Sequence, residues 1–435
     1  MNVVVITALD QEGRGVARVD GKAVFVEGAL VGERVAIEIY RDKPSYSLAR
    51  LVEIEARSPA RVEPRCPHFG VCGGCSLQHL EPAAQVAVKQ RVLEDTLWHI
   101  GRVRPGQLMA PIHGPVWAYR HRARLSVRDV PKKGGVLVGF HERKSSFVAE
   151  LTSCAVLPER ISAALPELRA LIARLSVRTR LPQIELAVGE GSDGPVDALV
   201  LRILAPLNSD DERELADFAD RHGFHILLQP EGPASVRPLH PPTCELFYTL
   251  PDFDVRLEFG PTDFTQVNAA MNRVLVRRAI SLLDPVPGER IADFFCGVGN
   301  FTLPIARLGA EVTGIEGNSA LVRRAQTNAA ANGLAGNARF AVADLAAVTA
   351  ASLAATVGSF DKALLDPPRE GAIALVKALP SQGARSVVYV SCNPATLARD
   401  AAVLLHQHGY ALRAAGVANM FPHTAHVESI ALFER

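Results

Sequence analysis

The chain has 435 residues, 48% of them hydrophobic and 21% charged; this balance excludes wholesale disorder, collagen and a disulfide miniprotein and, at about 100–200 residues per domain, implies two to four domains. No run of about 18 uncharged apolar residues occurs, and the first ten residues lack a basic segment and a small-residue cleavage site, which predicts a cytoplasmic protein with no membrane association. The net charge of +1 conceals an asymmetry, because residues 41–150 carry 18 basic and 10 acidic side chains. Such an excess suits a polyanion, although a solvated surface would carry it too.

Residues 3–7, 15–19, 22–26, 34–38 and 48–54 read as short alternating strands separated by glycine turns, with Asp20-Gly21 as a tight-turn signal. Five strands in so short a span predict a small β-barrel of the oligonucleotide-binding kind over residues 1–57. The stretch resembles the TRAM module of RNA-modifying enzymes through Asp10-Gln11-Glu12-Gly13-Arg14-Gly15 and Gly28-Ala29-Leu30-Val31-Gly32-Glu33. Residues 59–78 form a loop by their Pro, Cys and Gly content, and 80–100 read as a helix with Val86, Val88, Val92, Leu93, Leu97 and Ile100 as its apolar positions. Strand-like runs at 124–127, 136–140, 184–188, 198–204 and 224–228 alternate with helical stretches such as 158–175, an α+β pattern that ends after a Pro-rich segment and a hairpin at 244–250 and 255–259. From 262 onward, strands at 290–294, 311–316, 339–343, 362–366 and 386–391 alternate with helices, which predicts a parallel, doubly wound sheet.

Three of the seven cysteines, Cys66, Cys72 and Cys75, lie in one Gly-rich loop, and Cys154 follows 79 residues later. Soft thiolates converging on one point suit a metal, and Gly73-Gly74 would let the backbone wrap it closely. Spacing leaves an iron–sulfur cluster and a Cys3His zinc site using His68 or His79 open, and disfavours a radical-SAM cluster, whose three cysteines follow a CxxxCxxC spacing.

The run Ile291-Ala292-Asp293-Phe294-Phe295-Cys296-Gly297-Val298-Gly299-Asn300-Phe301 is a strand, a Gly-containing turn and a helix start, the place where a backbone can approach a nucleoside cofactor. Glu316 ends the next strand with a carboxylate suited to ribose hydroxyls, Asp344 ends the third, and Asp366-Pro367-Pro368 ends the fourth. In that order these signals predict a Rossmann-like S-adenosylmethionine methyltransferase domain. A dinucleotide fold is disfavoured because Thr302 stands where G-x-G-x-x-G has its third glycine. Cys392, in Ser391-Cys392-Asn393-Pro394, stands in a turn just past a hydrophobic strand, and Glu428 precedes the last strand. Methylating C5 of a pyrimidine needs a thiolate to add at C6 and a base to remove the C5 proton, so the pair suits that chemistry. In isolation each would more often be a packing or surface residue.

Together with Tyr119-Arg120-His121-Arg122-Ala123-Arg124-Leu125, Asp263-Phe264-Thr265-Gln266-Val267-Asn268, Asp366-Pro367-Pro368-Arg369 and Met420-Phe421-Pro422-His423-Thr424, these motifs make essentially the whole chain resemble the uracil-C5 RNA methyltransferases. The resemblance implies a [4Fe–4S] cluster on Cys66, Cys72, Cys75 and Cys154. It implies S-adenosylmethionine contacts at Gln266, Phe295, Asn300, Glu316, Asp344 and Asp366, with Cys392 as nucleophile and Glu428 as base. Barrel and cluster together imply 23S rRNA as substrate, at U1939, with another 23S uridine or tRNA as the alternative. The Asp/Asn-Pro-Pro-aromatic motif of amino-group methyltransferases is weakened because Arg369 replaces the aromatic.

The expected architecture is therefore multidomain α/β. Residues 1–57 form the barrel, 58–261 the iron–sulfur loop and central RNA-binding α+β domain, and 262–435 the methyltransferase domain. Arg120, Arg122 and Arg124 at period two predict a stripe for RNA phosphates, with pairing to acids inside the central domain as the alternative for any one of them. A monomer with no obligate protein partner is expected, and the competing class is a non-catalytic iron–sulfur RNA-binding protein.

Overall fold

A computed structural model describes residues 2–379 and 383–435. Three sheets carry the chain. In the first, six strands lie in the spatial order Asn2–Val5, Arg34–Asp42, Tyr46–Ala56, Lys22–Glu27, Gly15–Val19 and Ala8–Leu9. The extra strand relative to the sequence reading is the two-residue Ala8–Leu9, too short to show a period. Val4, Val24, Val26, Val35 and Ile37 bury one side of these strands. The fully buried Glu33 ties the sheet to the cysteine loop: Arg61 donates to both of its carboxylate oxygens, at 2.6 and 2.8 Å, and the Leu30 amide donates at 2.8 Å. A buried carboxylate is tolerated only when so completely paired.

The helix predicted at 80–100 is an α-helix, Pro82–Thr96, followed by a π-helical turn, Leu97–Gly101. Glu81 caps its start by accepting from the Ala84 amide, and Pro82 occupies the first turn, where its missing N–H costs nothing. Its buried face differs from the predicted one. Gln85 and Lys89 are buried along with Val92, Leu93 and Thr96, whereas Ile100 is half exposed.

The central sheet has eight strands, with Gln183–Gly191 pairing both Gly194–Arg202 and Arg122–Val130. The helices Glu159–Arg174 and Ser209–His222 cover it through Leu165, Leu168, Ile172, Leu215 and Phe218. The predicted hairpin appears as Phe247–Leu250 and Val255–Glu258 and joins this sheet.

The third sheet runs Ala338–Val342, Glu311–Glu316, Arg290–Phe294, Lys362–Leu365, Ser386–Ser391, Glu428–Glu434, Ala411–Ala418 and Gln107–Leu108. Every residue of Ser386–Ser391 is buried, and alternate side chains feed two cores. Val388 and Val390 pack with Leu275, Val276 and Ile280 of the helix Ala269–Leu283. Val387 and Tyr389 pack with Leu397, Ala401 and Leu404 of the helix Pro394–His408. Each such aliphatic side chain contributes about 1.5–3 kcal/mol of burial, which holds the strand ends rigidly in place. The sheet departs from the all-parallel expectation at Glu428–Glu434, which is antiparallel to both neighbours. The connection 419–427 contains no crossover helix, so the chain can only reverse.

Candidate active site and cysteine cavity

Because the last strand is reversed, its first residue lies at the same sheet edge as the carboxyl ends of the parallel strands: Ser429 pairs with Ser391. Along that edge Asp344, Glu316, Phe295, Asp366, Cys392 and Glu428 therefore follow one another in the spatial order of their strands. The predicted cofactor residues occupy one half of the row and the predicted nucleophile and base the other, with Asp366 between.

The cofactor half is built on the turn after Phe294. Phe295, Gly297 and Gly299 all have positive φ, and a Cβ at Gly297 would meet no atom within 4 Å, so open space lies above the turn. The Glu316 carboxylate accepts from the Gly297 amide at 3.2 Å and from the Asn318 amide at 2.9 Å, which fixes it beside that space. Asn300 is held by an amide pair with Asn272, at 2.9 and 3.0 Å, and accepts from the Tyr248 hydroxyl at 2.9 Å. Thr302, read in the sequence only as an absent glycine, donates to Asp293 at 2.5 Å; burial nonetheless pushes that acid up to about 7. Asp344 is exposed and accepts from the Ala346 amide at 2.9 Å. Gln266 lies apart from the sheet, on the loop that precedes helix Ala269–Leu283, beside Tyr248 and Asn272. A carboxylate set beside an open glycine turn fits a nucleoside donor.

The reacting half is dominated by burial and negative charge. Burial, then the Glu428 and Asp366 carboxyls, push the Cys392 thiol up to about 11, and Arg369 opposes them. Glu428 is buried, and burial with the neighbouring Asp366 raises its carboxyl well above the usual range. Asp366 is raised to about 7 by burial. A buried thiol whose ionisation is opposed by two buried carboxyls suits a site that moves protons.

Cys66, Cys72, Cys75 and Cys154 line one cavity of about 180 Å³ together with His68, Arg120, Phe140, Thr424 and His426. Gly73 is required there: its amide donates to the His141 carbonyl at 2.8 Å, and a Cβ would sit 2.9 Å from that oxygen. Among the described residues no three His, Cys, Asp or Glu side chains are grouped to hold a single metal ion. His79 does not line the cavity, and His68 Nε2 already accepts from the Thr152 amide at 3.1 Å. The donor set is four thiols spread around one space.

The arginine stripe does not form as predicted. Arg120 precedes the strand Arg122–Val130, bonds the Arg122 carbonyl at 3.1 Å and lines the cysteine cavity. Arg122 turns inward and donates to the carbonyls of Pro261 at 2.6 Å and Asp263 at 2.5 Å, bracing the loop that carries Gln266. Arg124 alone of the three is exposed, and it pairs with Glu185 at 2.8 Å. The burial of Arg122 comes from a partner 139 residues away, which no local pattern reveals.

The sheet, its strand order and the acid at the second strand end define an S-adenosylmethionine methyltransferase fold. Residues 248–435 match the family model described as tRNA (Uracil-5-)-methyltransferase, and residues 3–52 match the TRAM domain. The chain is 61% identical, over all of both chains, to the 23S rRNA (uracil(1939)-C(5))-methyltransferase RlmD of Aromatoleum aromaticum. It is 58% identical to that of Nitrosospira multiformis, covering 99% of this chain and 98% of the relative. Among solved structures, the Pyrococcus abyssi tRNA (uracil-54, C5)-methyltransferase in complex with S-adenosyl-L-homocysteine is 25% identical with a TM-score of 0.75, over 99% of each chain. The chain belongs to the uracil-C5 RNA methyltransferase family.

Proposed function

We propose that this protein methylates C5 of U1939 in 23S rRNA, with S-adenosylmethionine as donor, through a covalent adduct between Cys392 and C6 of the uracil. The observation that carries the reading is the ordered row at the sheet edge: Glu316 and Phe295 on one side, Cys392 and Glu428 on the other, Asp366 between them. Glu316, Phe295, Asn300, Asp344, Asp366 and Gln266 would hold the donor, which supplies an electrophilic methyl on sulfonium. Uracil C5 is a weak nucleophile, and addition of the Cys392 thiolate to C6 places an electron pair on it. A thiol held at about 11 must lose its proton as it attacks, and the Asp366 carboxylate beside it can take it, which leaves Glu428 free for the C5 proton. Once C5 carries the methyl group, Glu428 removes its proton, the C5–C6 double bond re-forms, and the Cys392–C6 bond breaks to return the thiolate. C5 is buried in a stacked helix, so the uridine must be everted, at a cost of a few kcal/mol that contacts elsewhere on the RNA repay.

Residues 1–57, as an oligonucleotide-binding barrel, and the central region 58–261, whose first part belongs to the basic stretch 41–150, supply those contacts, with Arg124 the exposed member of the three arginines. Residues 262–435 carry the chemistry. Cys66, Cys72, Cys75 and Cys154 fit a [4Fe–4S] cluster better than zinc, because four thiols line one cavity and suit a multi-iron core. The protein acts as a monomer in the cytoplasm; among the described residues no helix is long and apolar enough to cross a membrane.

Transfer of labelled methyl from S-adenosylmethionine to unmodified 23S rRNA, with the site mapped, tests this function. Label at U1939 is expected. Label at another 23S uridine, on tRNA only, or on no RNA despite RNA binding would overturn it.

A further inference from the structure

The helix Pro82–Thr96 runs between the cysteine loop and the catalytic sheet, and among its buried side chains are Gln85 and Lys89, which the mechanism above does not use. Gln85 is 0% and Lys89 1% exposed, and four residues apart they stack on one helix face. Burying an amide and an amine is unfavourable unless their polar atoms find partners. Both find them in the same place. Lys89 Nζ donates to Asn419 Oδ1 at 2.7 Å and to the Phe421 carbonyl at 2.8 Å. Gln85 Oε1 accepts from the His423 amide at 2.7 Å, and its Nε2 lies 3.1 Å from His423 Nδ1 while donating to the Leu80 carbonyl at 2.7 Å.

The gripped segment is the irregular connection between strand Ala411–Ala418 and strand Glu428–Glu434, whose first residue is the base. His423 has φ +64°, a conformation a non-glycine residue keeps only where its surroundings impose it. The imposition is visible. The Ser76 and Leu77 amides both donate to the His423 carbonyl at 2.9 Å, Trp117 stacks on its ring at 3.8 Å, and the Tyr119 hydroxyl donates to the Pro422 carbonyl at 2.9 Å. Without these contacts a nine-residue loop would leave the entry of Glu428 free to shift. A displacement of about 1 Å at a reacting group is enough to cost on the order of 100-fold in rate.

We infer that Lys89 and Gln85 are positioning residues for Glu428: by holding residues 419–423 they aim its carboxylate at C5, and so act on proton removal rather than on attack by Cys392 or on methyl transfer. The inference rests on the covalent mechanism above. In the affected step the C5–H pair forms the C5–C6 double bond, the proton passes to Glu428, and the sulfur–C6 pair returns to Cys392.

The test is a single-turnover reaction of Lys89→Met and Gln85→Met with a 23S rRNA fragment and labelled S-adenosylmethionine. Methyl incorporated in total and methylated RNA released free of protein are measured separately on denaturing gels, with melting temperature and donor binding checked alongside. In both variants methyl incorporation is expected within about threefold of the unaltered protein, release at least tenfold slower, and a methylated protein–RNA species accumulates. Equal slowing of both steps, or unchanged release, overturns the inference; should Lys89→Met not fold, Gln85→Met decides alone. Glu428→Gln is run in parallel. If it traps no covalent species, the covalent mechanism has failed; if it traps one and the other variants do not, only the positioning role has.

Discussion

The two cysteine sites of this protein are built in opposite ways. Cys392 stands one residue beyond a strand buried along its whole length, beside two carboxyls that oppose its ionisation. The other four thiols reach their cavity from the loop at 66–75 and from Cys154, outside every named strand and helix, positioned by loop contacts such as the Gly73 amide on His141. A rigid strand end fixes a group that must meet a reacting atom to within a fraction of an ångström. Loop-borne donors gain their final geometry from whatever they bind, so the first site is expected to act in the reaction and the second in the assembly around it.

That contrast can be broken most sharply at Cys392. Cys392→Ala should bring methyl transfer to background, a loss of at least about 10⁴-fold, with donor affinity unchanged by calorimetry. If donor binding falls with activity, the thiol serves the fold rather than the reaction. Glu428→Gln should lower turnover by about 10²–10⁴-fold, and a rate equal to that of the unaltered protein would remove the base from the account. At the other site, Cys72→Ser should abolish the absorbance of the proposed iron–sulfur cluster and lower the melting temperature and RNA affinity, while S-adenosylmethionine still binds within about twofold because the sheet edge is untouched. Donor affinity collapsing with the colour would mean that the two sites are not separate.

Smaller effects sharpen the same division. Arg122→Met removes two hydrogen bonds from a charged donor to the loop of Gln266, each worth about 1.5–3 kcal/mol. Donor affinity should fall about tenfold with little change in RNA affinity, which would confirm that this arginine braces the loop and does not meet phosphate. The smallest effect is electrostatic. Alkylation of Cys392 in the free protein should keep rising toward pH 11, since only the thiolate reacts. Asp366, raised to about 7, is charged at pH 9, so Asp366→Asn removes a negative neighbour, lowers the thiol's pKa and should speed alkylation there several-fold. An unchanged or slower rate would place the carboxylate too far away to matter.

The sequence made the row at the sheet edge legible because each member sits just past or at the start of a strand, where local hydrophobic pattern and turn residues mark the position. Cys66, Cys72 and Cys75 are legible as a group by their closeness in a chain with seven cysteines, whereas Cys154 joins them only through the family resemblance. Hidden were the features made by distant partners. Gln85 and Lys89 fall outside the apolar positions that mark the helix in the sequence, and their burial comes from residues more than 300 positions later. Arg122 and Arg124 share a strand face as period two requires, but a returning loop claims the first of them. The reversal of the last strand was equally hidden, yet it is what brings Glu428 to the edge where Cys392 ends its own strand.

The most direct test of the central claim is the chemical state of Cys392 during the reaction. Glu428→Gln, incubated with a 23S rRNA fragment and S-adenosylmethionine, digested with nuclease and trypsin and read by mass spectrometry, should yield the Cys392 peptide carrying a 5-methyluracil nucleotide. Methylated RNA recovered with that peptide unmodified, or the nucleotide attached to another residue, would contradict the account.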